Sequence, residues 1–433
     1  MSSTTKKALL LGAGFVCEPV IQALSQADVH VTVACRTLHS AQALASNYKN
    51  TTAIALDVSQ DAAGLNNAIT KTDIIISLIP YVYHATVVEA AIAHRKPVVT
   101  TSYISPALWA LDEKAKSAGV TVLNEIGLDP GIDHLYAVKT IDEVHRAGGQ
   151  IRSFTSWCGA LPAPENADNP LGYKFSWSPR GGLLALLNSA QWYKDGELAT
   201  VEGKDLMAVA ESQKITEGFD NLVGYPNRDA VGFRDFYRIP EAGTVFRGTL
   251  RYAGFPEIIR ALVAIGYFSQ DEVPALNDAV TERITSFLST EETSRVVSGL
   301  RWIGLFDASV PVNGRDTPLD TLCAVLEQRM AYEPGERDMI ILQHAFDIEC
   351  ADGSKEKRTS TLVEYGEPTA PGSRSAMAKL VGLPCAVGVL AVLEGRISQK
   401  GMVAPWTAVE IARLLREELS ERFGIELEEK VVG

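Results

Sequence analysis

The chain has six cysteines in 433 residues, and none forms a Cys-x-x-Cys pair. A chain this long buries a core without disulfide staples, and the spacing suits neither a zinc ribbon nor a dithiol redox motif. Cys17, Cys35, Cys158, Cys323, Cys350 and Cys385 therefore read as reduced thiols in a cytoplasmic protein. The seven histidines lack His-x-x-His or His-Glu-x-x-His spacing, so no metal site is expected. Positive charge is scarce: 40 basic residues face 53 acidic ones, a net charge of −13. That balance argues against a nucleic-acid or membrane-surface partner. No apolar run is expected to reach the ~20 residues that span a bilayer; residues 74–79 and 387–393 read as core strands or helix faces. The opening Met-Ser-Ser-Thr-Thr-Lys-Lys before an apolar run has the look of a short signal peptide. The Gly12-x-Gly14 inside that run, and the alternating segment after it, fit a first β-strand better. Repeats and low-complexity linkers are also missing.

What is present is ordinary for a globular chain, with 46% hydrophobic and 21% charged residues. At roughly 150 residues per domain, two or more domains are expected. The first third alternates. Apolar runs at residues 8–11, 29–35, 52–56, 73–79, 97–100 and 119–123 read as strands. Segments 19–25, 40–48, 61–70, 84–94 and 106–118 read as helices. Strands without a polar face, separated by helices, predict a doubly wound parallel sheet covered on both sides. Ligands of such a sheet bind beyond the carboxyl ends of its strands. If the ligand is an anion, its cations must be placed locally, against the sign of the whole molecule.

The first strand ends in Gly12-Ala13-Gly14-Phe15-Val16-Cys17. Two glycines allow a tight turn and close approach of a pyrophosphate to a helix N-terminus. Cys17 stands where a third glycine usually serves helix–strand packing. The turn follows a strand and opens a helix, the context that supports dinucleotide binding over an ordinary glycine turn. The second strand ends in Cys35-Arg36-Thr37, with no acidic residue between Val29 and Ser46. An NAD site places Asp or Glu there, whereas Arg accommodates a 2′-phosphate. Arg36 with Thr37 thus points to NADP(H), the alternative being a solvated surface Arg. Asp57-Val58 ends the third strand, where Asp57 serves either the adenine edge or a helix N-cap. With Ile79, Thr101, Ser102 and Leu128 from the later strand ends, these residues form the expected cofactor set.

Past Gly131 the pattern changes. Residues 132–147 read as a helix and 150–158 as an alternating strand. Residues 159–182 form a long loop carrying Tyr173, Lys174, Phe175, Trp177 and Arg180, a composition that suits an ordered site wall. Residues 244–252 read as a strand, 255–268 as a helix and 271–331 as a helical insertion. Strands at 338–350 and 358–365 flank Ala351-Asp352-Gly353-Ser354, a hairpin turn. Helices at 376–393 and 408–423 close the chain. The expected second domain is α+β with antiparallel strands.

Several strings resemble the saccharopine dehydrogenase family. They are Gly12 to Val16, Ala34 to Thr37, Ser77 to Tyr81, Thr100 to Tyr103, Asn124 to His134 (NEIGLDPGIDH), Asn169 to Trp177 (NPLGYKFSW), Tyr225 to Arg228, Arg247 to Tyr252 and Ser375 to Lys379. The likeness covers essentially the whole chain and is nearest the fungal, NADP-dependent, L-glutamate-forming members. Residues 267–293 are short for the family. The resemblance implies a Rossmann-type NADP-binding domain at 1–130 with helices at about 394–433. It implies an α+β substrate and dimerisation domain at 131–270 and 332–393, and a helical insertion at 271–331. It also implies a homodimer, and a reaction that joins L-glutamate to α-aminoadipate semialdehyde and reduces the imine to saccharopine for lysine biosynthesis.

Saccharopine carries three carboxylates and a secondary amine, so cationic forks and N–H donors are required. The resemblance implies that Ser102 and Tyr103 meet substrate and cofactor, and that Asp129 contacts the substrate amine. It also implies that Arg228 binds a carboxylate beside the backbone of Gly248, Thr249 and Leu250. By their residues alone, Tyr103 also suits packing and Asp129, before Pro130, a turn. Asp129 has an acid/base reading, and Lys174 a lesser one of assisting; the substrate's own amine and carboxylates are the alternative. Lys174 is a further carboxylate candidate, ranked below Arg228, and His134 reads as a core or capping residue. Two other functions stay open: a polyamine-forming condensing reductase of the carboxynorspermidine or homospermidine type, and an NADP-binding redox sensor without turnover.

Overall fold

Apolar runs too short for a helix bury both faces as parallel strands, and the computed structural model, which describes residues 5–175, 179–270, 288–304 and 317–432, contains such a sheet. The chain divides into two units, Met1–Arg146 with Met377–Leu427, and Ala147–Ala376 with Glu428–Gly433.

The first unit is built on β1 (Lys7–Leu11), β2 (His30–Cys35), β3 (Thr51–Ala55), β4 (Ile74–Ser77), β5 (Val98–Thr100), β6 (Thr121–Leu123) and β15 (Gly401–Val403). They lie in the order β3-β2-β1-β4-β5-β6-β15 and all run parallel. The connections are α1 (Cys17–Gln26), α2 (Leu38–Ala45), α3 (Ala62–Thr70), α4 (His84–Ala93), α5 (Pro106–Trp109) and α6 (Asp112–Ala118). This is the expected doubly wound sheet. Strand order reverses between β1 and β4, which makes that gap the switch point. Leu9, Leu11, Ile75, Val98 and Val122 pack against Leu65, Ile69, Val87 and Ile92 from the helices. Each such buried side chain contributes ~1.5–3 kcal/mol.

Three expectations change here. The single helix at 106–118 is two, because Ser105 caps a short turn started by Pro106 and a new helix begins at Asp112. The C-terminal stretch supplies β15 as well as helices; Gly401–Val403 pairs with β6 from Thr121 to Leu123. Helix α7 (Ile132–Arg146) and residues 377–393 belong to the first unit, not the second. The reason is packing without Cβ atoms: a Cβ at Gly388 would press on Leu123 and Ile126, and one at Gly382 on Pro19.

The second unit carries β7 (Gln150–Pro162), β8 (Ala190–Lys194), β9 (Glu197–Val201), β10 (Glu211–Gln213), β11 (Leu222–Pro226), β12 (Thr244–Tyr252), β13 (Asp338–Glu349), β14 (Lys355–Tyr365) and β16 (Glu428–Val431). The main path is β10-β11-β12-β7-β13-β14-β16, with β8 on β12 and β9 on β8. The sheet is mixed rather than wholly antiparallel, since β7 and β12 run parallel from Ser153↔Thr244 to Cys158↔Thr249. β7 continues to Pro162, so the expected loop starts later, and Trp177 within it lies outside the described residues. The hairpin turn falls as expected: Cys350 N–H donates to Ser354 O at 2.8 Å, and Gly353 takes φ +82°.

Helices α8 (Pro179–Ala185), α9 (Phe233–Phe236), α10 (Phe255–Ala264), α11 (Thr290–Ile303) and α12 (Pro318–Arg329) complete this unit. Ile258 and Leu262 of α10, Val296 and Leu300 of α11 and Leu322 and Leu326 of α12 share one apolar cluster with Leu171 and Tyr173. The described part of the expected insertion therefore shares its core with the rest of the unit. Residues 271–287 and 305–316 of that expectation lie outside the described residues, as does most of the short segment at 267–293.

The remaining α-helices among the described residues are α13 (Ala376–Leu393) and α14 (Val409–Phe423). At 18 residues, α13 is long and apolar enough to cross a membrane by length and composition, which the sequence reading did not expect. The helix is 72% buried inside the protein, and Lys379 interrupts its first turn.

Candidate active site

The glycine turn sits at the switch point. Gly12 adopts φ +120°, and its N–H donates to Ala34 O at 2.9 Å. A Cβ there would stand 2.7 Å from Leu78 O, just past β4. Only glycine fits both the backbone angle and the approach of the two strands. A Cβ at Gly14 would meet nothing within 4 Å, so that position faces open space. Val16 is the N-cap of α1 and offers no side-chain cap; Cys17 N–H donates to Gly14 O at 3.1 Å and Pro19 has no N–H, so Glu18 carries the first-turn amide left for an anion. Ala13 is half-buried and Phe15 is 71% exposed. Cys17 is fully buried, and burial pushes its thiol up to about 12, so it packs and does not react.

Arg36 and Thr37 are exposed beyond β2, next to half-buried Cys35. Thr37 is the N-cap of α2 and makes no side-chain cap, so a second helix N-terminus is open beside the guanidinium. Asp57 is not a helix cap. Asp61 caps α3 by accepting from Gly64 N–H at 2.7 Å, whereas Asp57 accepts from the Ser59 hydroxyl at 2.6 Å and its amide at 2.9 Å. Those two bonds, and then the charge of Arg36, hold the Asp57 carboxyl below its usual range. Val58 follows, half-buried. Two uncapped helix starts, an open glycine and an exposed Arg fit a phosphorylated dinucleotide.

Between β4 and β5 lies a polar cluster. His84 opens α4, with Nδ1 2.9 Å from Ser77 Oγ. Its Nε2 lies 2.9 Å from Ser102 Oγ and 3.2 Å from Thr100 Oγ1. Ile79 and Thr101 are half-buried on the adjoining strand ends.

The segment after β6 carries Asp129. Tyr103 Oη donates to Asp129 Oδ1 at 2.6 Å, and both residues are half-buried. The Asp129–Pro130 peptide is cis, and Leu128 is buried. Gly131 must be glycine, because a Cβ would run into Gly127. Its N–H donates to Asp133 Oδ1 at 2.6 Å. Glu125, in the left-handed region at φ +59°, ties the segment down. Its Oε1 accepts from Ile104 N–H at 3.0 Å and its Oε2 from Trp406 Nε1 at 2.7 Å. His134 Nε2 lies 2.9 Å from Oε2. Burial pushes the Glu125 carboxyl up, but His134 and these N–H donors outweigh it and hold it below its usual range. His134 is thus a buried partner of Glu125, which is the core reading given to it.

The second unit holds the other expected residues. Lys174 Nζ donates to both oxygens of Glu336 at 2.6 and 2.5 Å and is 9% exposed, so a substrate carboxylate would have to displace Glu336. Arg228 is exposed, in the left-handed region at φ +52°, just past β11. Gly248 and Thr249 pair with strands on both sides, Leu250 with Gly224 alone. Little backbone of Gly248 and Thr249 remains for a ligand, contrary to the expectation. Gly248 is required by Trp157, whose indole would collide with any Cβ there.

Reading the sequence missed His84, Ser77 and Glu125. A histidine opening the helix before the strand that leads to Ser102 carries no local signal, and Glu125 stood unremarked inside a recognised string.

Residues 8–123 match the saccharopine dehydrogenase NADP binding domain, and residues 127–425 the saccharopine dehydrogenase C-terminal domain. A relative named saccharopine dehydrogenase [NADP(+), L-glutamate-forming], from Pyricularia oryzae, is 53% identical, covering 99% of this chain and all of that one. Its namesake from Saccharomyces cerevisiae is 51% identical at the same coverage. A solved structure of the apo, histidine-tagged L-Glu-forming yeast enzyme superposes with a TM-score of 0.90 at 50% identity, covering 99% of this chain and 100% of that one. The chain belongs to the saccharopine dehydrogenase family.

Proposed function

We propose that the chain is a saccharopine reductase. It condenses L-glutamate with L-2-aminoadipate 6-semialdehyde, releases water, and reduces the resulting imine to saccharopine, reversibly. End-to-end likeness to relatives that bear this name carries the reading. Bound NADPH supplies the hydride to the imine carbon, and a proton reaches the nitrogen to leave the secondary amine.

The chain's residues bind, orient and exclude water. Gly12, Ala13, Gly14, Phe15 and Val16 receive the pyrophosphate at the start of α1. Arg36 and Thr37, with Cys35, take the 2′-phosphate; Asp57, Val58, Ile79, Thr101, Ser102 and Leu128 line the rest. Ser102, Tyr103 and Asp129 meet the substrate, with Asp129 accepting from the amine; the Tyr103 phenol that donates to Asp129 Oδ1 supports its placement. Arg228 takes a carboxylate, beside the Thr249 side chain and the Leu250 backbone. Lys174 ranks last, since Glu336 already pairs with it.

Six free thiols support a reducing, cytoplasmic setting, and the family likeness supports a homodimer, which light scattering of the purified chain tests. The decisive assay follows NADPH oxidation with each substrate omitted in turn. Oxidation is expected only with glutamate and semialdehyde together. Turnover with semialdehyde alone would replace the reading with a simple aldehyde reductase.

A further inference from the structure

His84 has no part in the chemistry described so far, yet it joins the strand ends that hold Ser102. It is 2% exposed and contacts three hydroxyls: Ser77 at Nδ1, and Ser102 and Thr100 at Nε2. Thr100 Oγ1 also accepts from the Ser102 amide at 3.3 Å. Among the described residues these are the polar partners of all four side chains.

Burial pushes the imidazole down to about 4, so the ring is neutral near pH 7. A neutral imidazole has one N–H and one lone pair. Three hydroxyl hydrogens therefore compete for a single ring acceptor. Ser77 and Thr100 are 1% and 0% exposed, whereas Ser102 is half-buried at the edge. A buried hydroxyl left without an acceptor costs ~1–3 kcal/mol. If Ser102 took the lone pair, both buried hydroxyls would be orphaned. If a buried hydroxyl takes it, only one is orphaned, and the Ser102 hydrogen turns away from the ring. The Nε2 contact to Ser102 is shorter than that to Thr100, 2.9 against 3.2 Å. An Nε2–H donating to Ser102, with Ser77 donating to Nδ1, satisfies both the burial and the shorter contact.

We propose that His84 is a positioning residue: as the Nε2–H tautomer it donates to Ser102 Oγ and turns the Ser102 hydroxyl outward as a donor to an acceptor oxygen of the bound ligand. The ligand's identity rests on the reductase reading; the hydrogen placement does not. That reading offers two acceptor oxygens of one chemistry, a substrate carboxylate and the nicotinamide carboxamide. A hydroxyl fixed this way presents such an oxygen with a donor already in place.

The test begins with long-range 15N–1H spectra of the full chain labelled at histidine, assigned with H84Q. Protonated Nε2 and bare Nδ1 are expected at pH 7; protonated Nδ1 would overturn the proposal, whether or not the protein turns over saccharopine. Kinetics supply the second arm. H84A is expected to raise the saccharopine KM or the NADPH Kd about tenfold, with kcat within about twofold. Gln carries an N–H donor near the Nε2 position, so H84Q should recover most of the loss. In an S102A background the two variants should be equal. A rise in KM assigns the oxygen to the substrate, a rise in Kd to the cofactor. Equal losses in H84A and H84Q with Ser102 present would sink the positioning role. Absence of saccharopine turnover in the unsubstituted chain would instead remove the reductase reading and leave the spectra to decide this one.

Discussion

The Tyr103 hydroxyl donates to Asp129 Oδ1 across 2.6 Å, joining the segments that leave two neighbouring strands, β5 and β6. A phenol near neutral pH donates, so Asp129 Oδ1 is the acceptor and the two side chains hold each other in place. Replacing Tyr103 with Phe should lower kcat/KM about tenfold, and Asp129→Asn about a hundredfold or more, with little change in Tm. Full activity in D129N would remove Asp129 from the substrate site.

The two turn glycines should fail differently. Gly12→Ala places a Cβ 2.7 Å from Leu78 O at φ +120°, and should cost about 1–3 kcal/mol of stability as well as cofactor affinity. Gly14→Ala meets no neighbour, so its melting temperature should hold while the NADPH Kd rises about tenfold. Unchanged NADPH affinity in G14A would put the pyrophosphate elsewhere.

Arg36 stands exposed beside Asp57 at the end of β2. Arg36→Asp removes the partner of a 2′-phosphate and adds repulsion, so the ratio of kcat/KM for NADPH over NADH should fall by about a hundredfold. A preserved ratio would make Arg36 a solvated surface residue.

Arg228 and Lys174 separate a ligand cation from a structural one. R228A should raise the glutamate KM at least about tenfold without altering Tm. K174M takes its cationic partner from half-buried Glu336, so it should lower Tm more than it raises KM. The reverse pattern would exchange their roles.

Stability should fall with pH in a defined window. His84 titrates near 6.5 when unfolded and about 4 when folded, so between those values the unfolded chain binds the extra proton. Stability is lost as pH drops from 6.5 toward 4, by on the order of 3 kcal/mol in total. Below that window Glu125 adds to the loss, because its folded carboxyl is held low and its contribution disappears as it protonates. Urea melts of the native chain and H84Q across pH 4–7 check this; identical slopes would exclude His84 as the group responsible.

Local pattern was enough for the Rossmann-type sheet. Its first six strands, the Gly12–Gly14 turn and Arg36 after β2 follow from short apolar runs and from residue types whose geometry is intrinsic. The weak elements were illegible for physical reasons. β15 has three residues, too few to display a period, and exists because β6 offers it an edge. β16 is Glu-Glu-Lys-Val, fully exposed, and reads as a helix tail until β14 pairs with it.

The site divides along the same line. The sequence by itself determined what kinds of groups are present: a glycine turn, a cation after β2, and the strings around Ser102, Asp129 and Arg228. Those depend on covalent structure and backbone preference, which travel with the residue. Tertiary structure alone decided which groups are free to act. It gave Lys174 to Glu336, placed Trp157 over Gly248, made Asp57 a turn former, and set a buried histidine behind Ser102. Hydrogen bonds and charge pairs between residues far apart in sequence have no local signature, because their strength comes from burial and proximity that only the folded chain supplies.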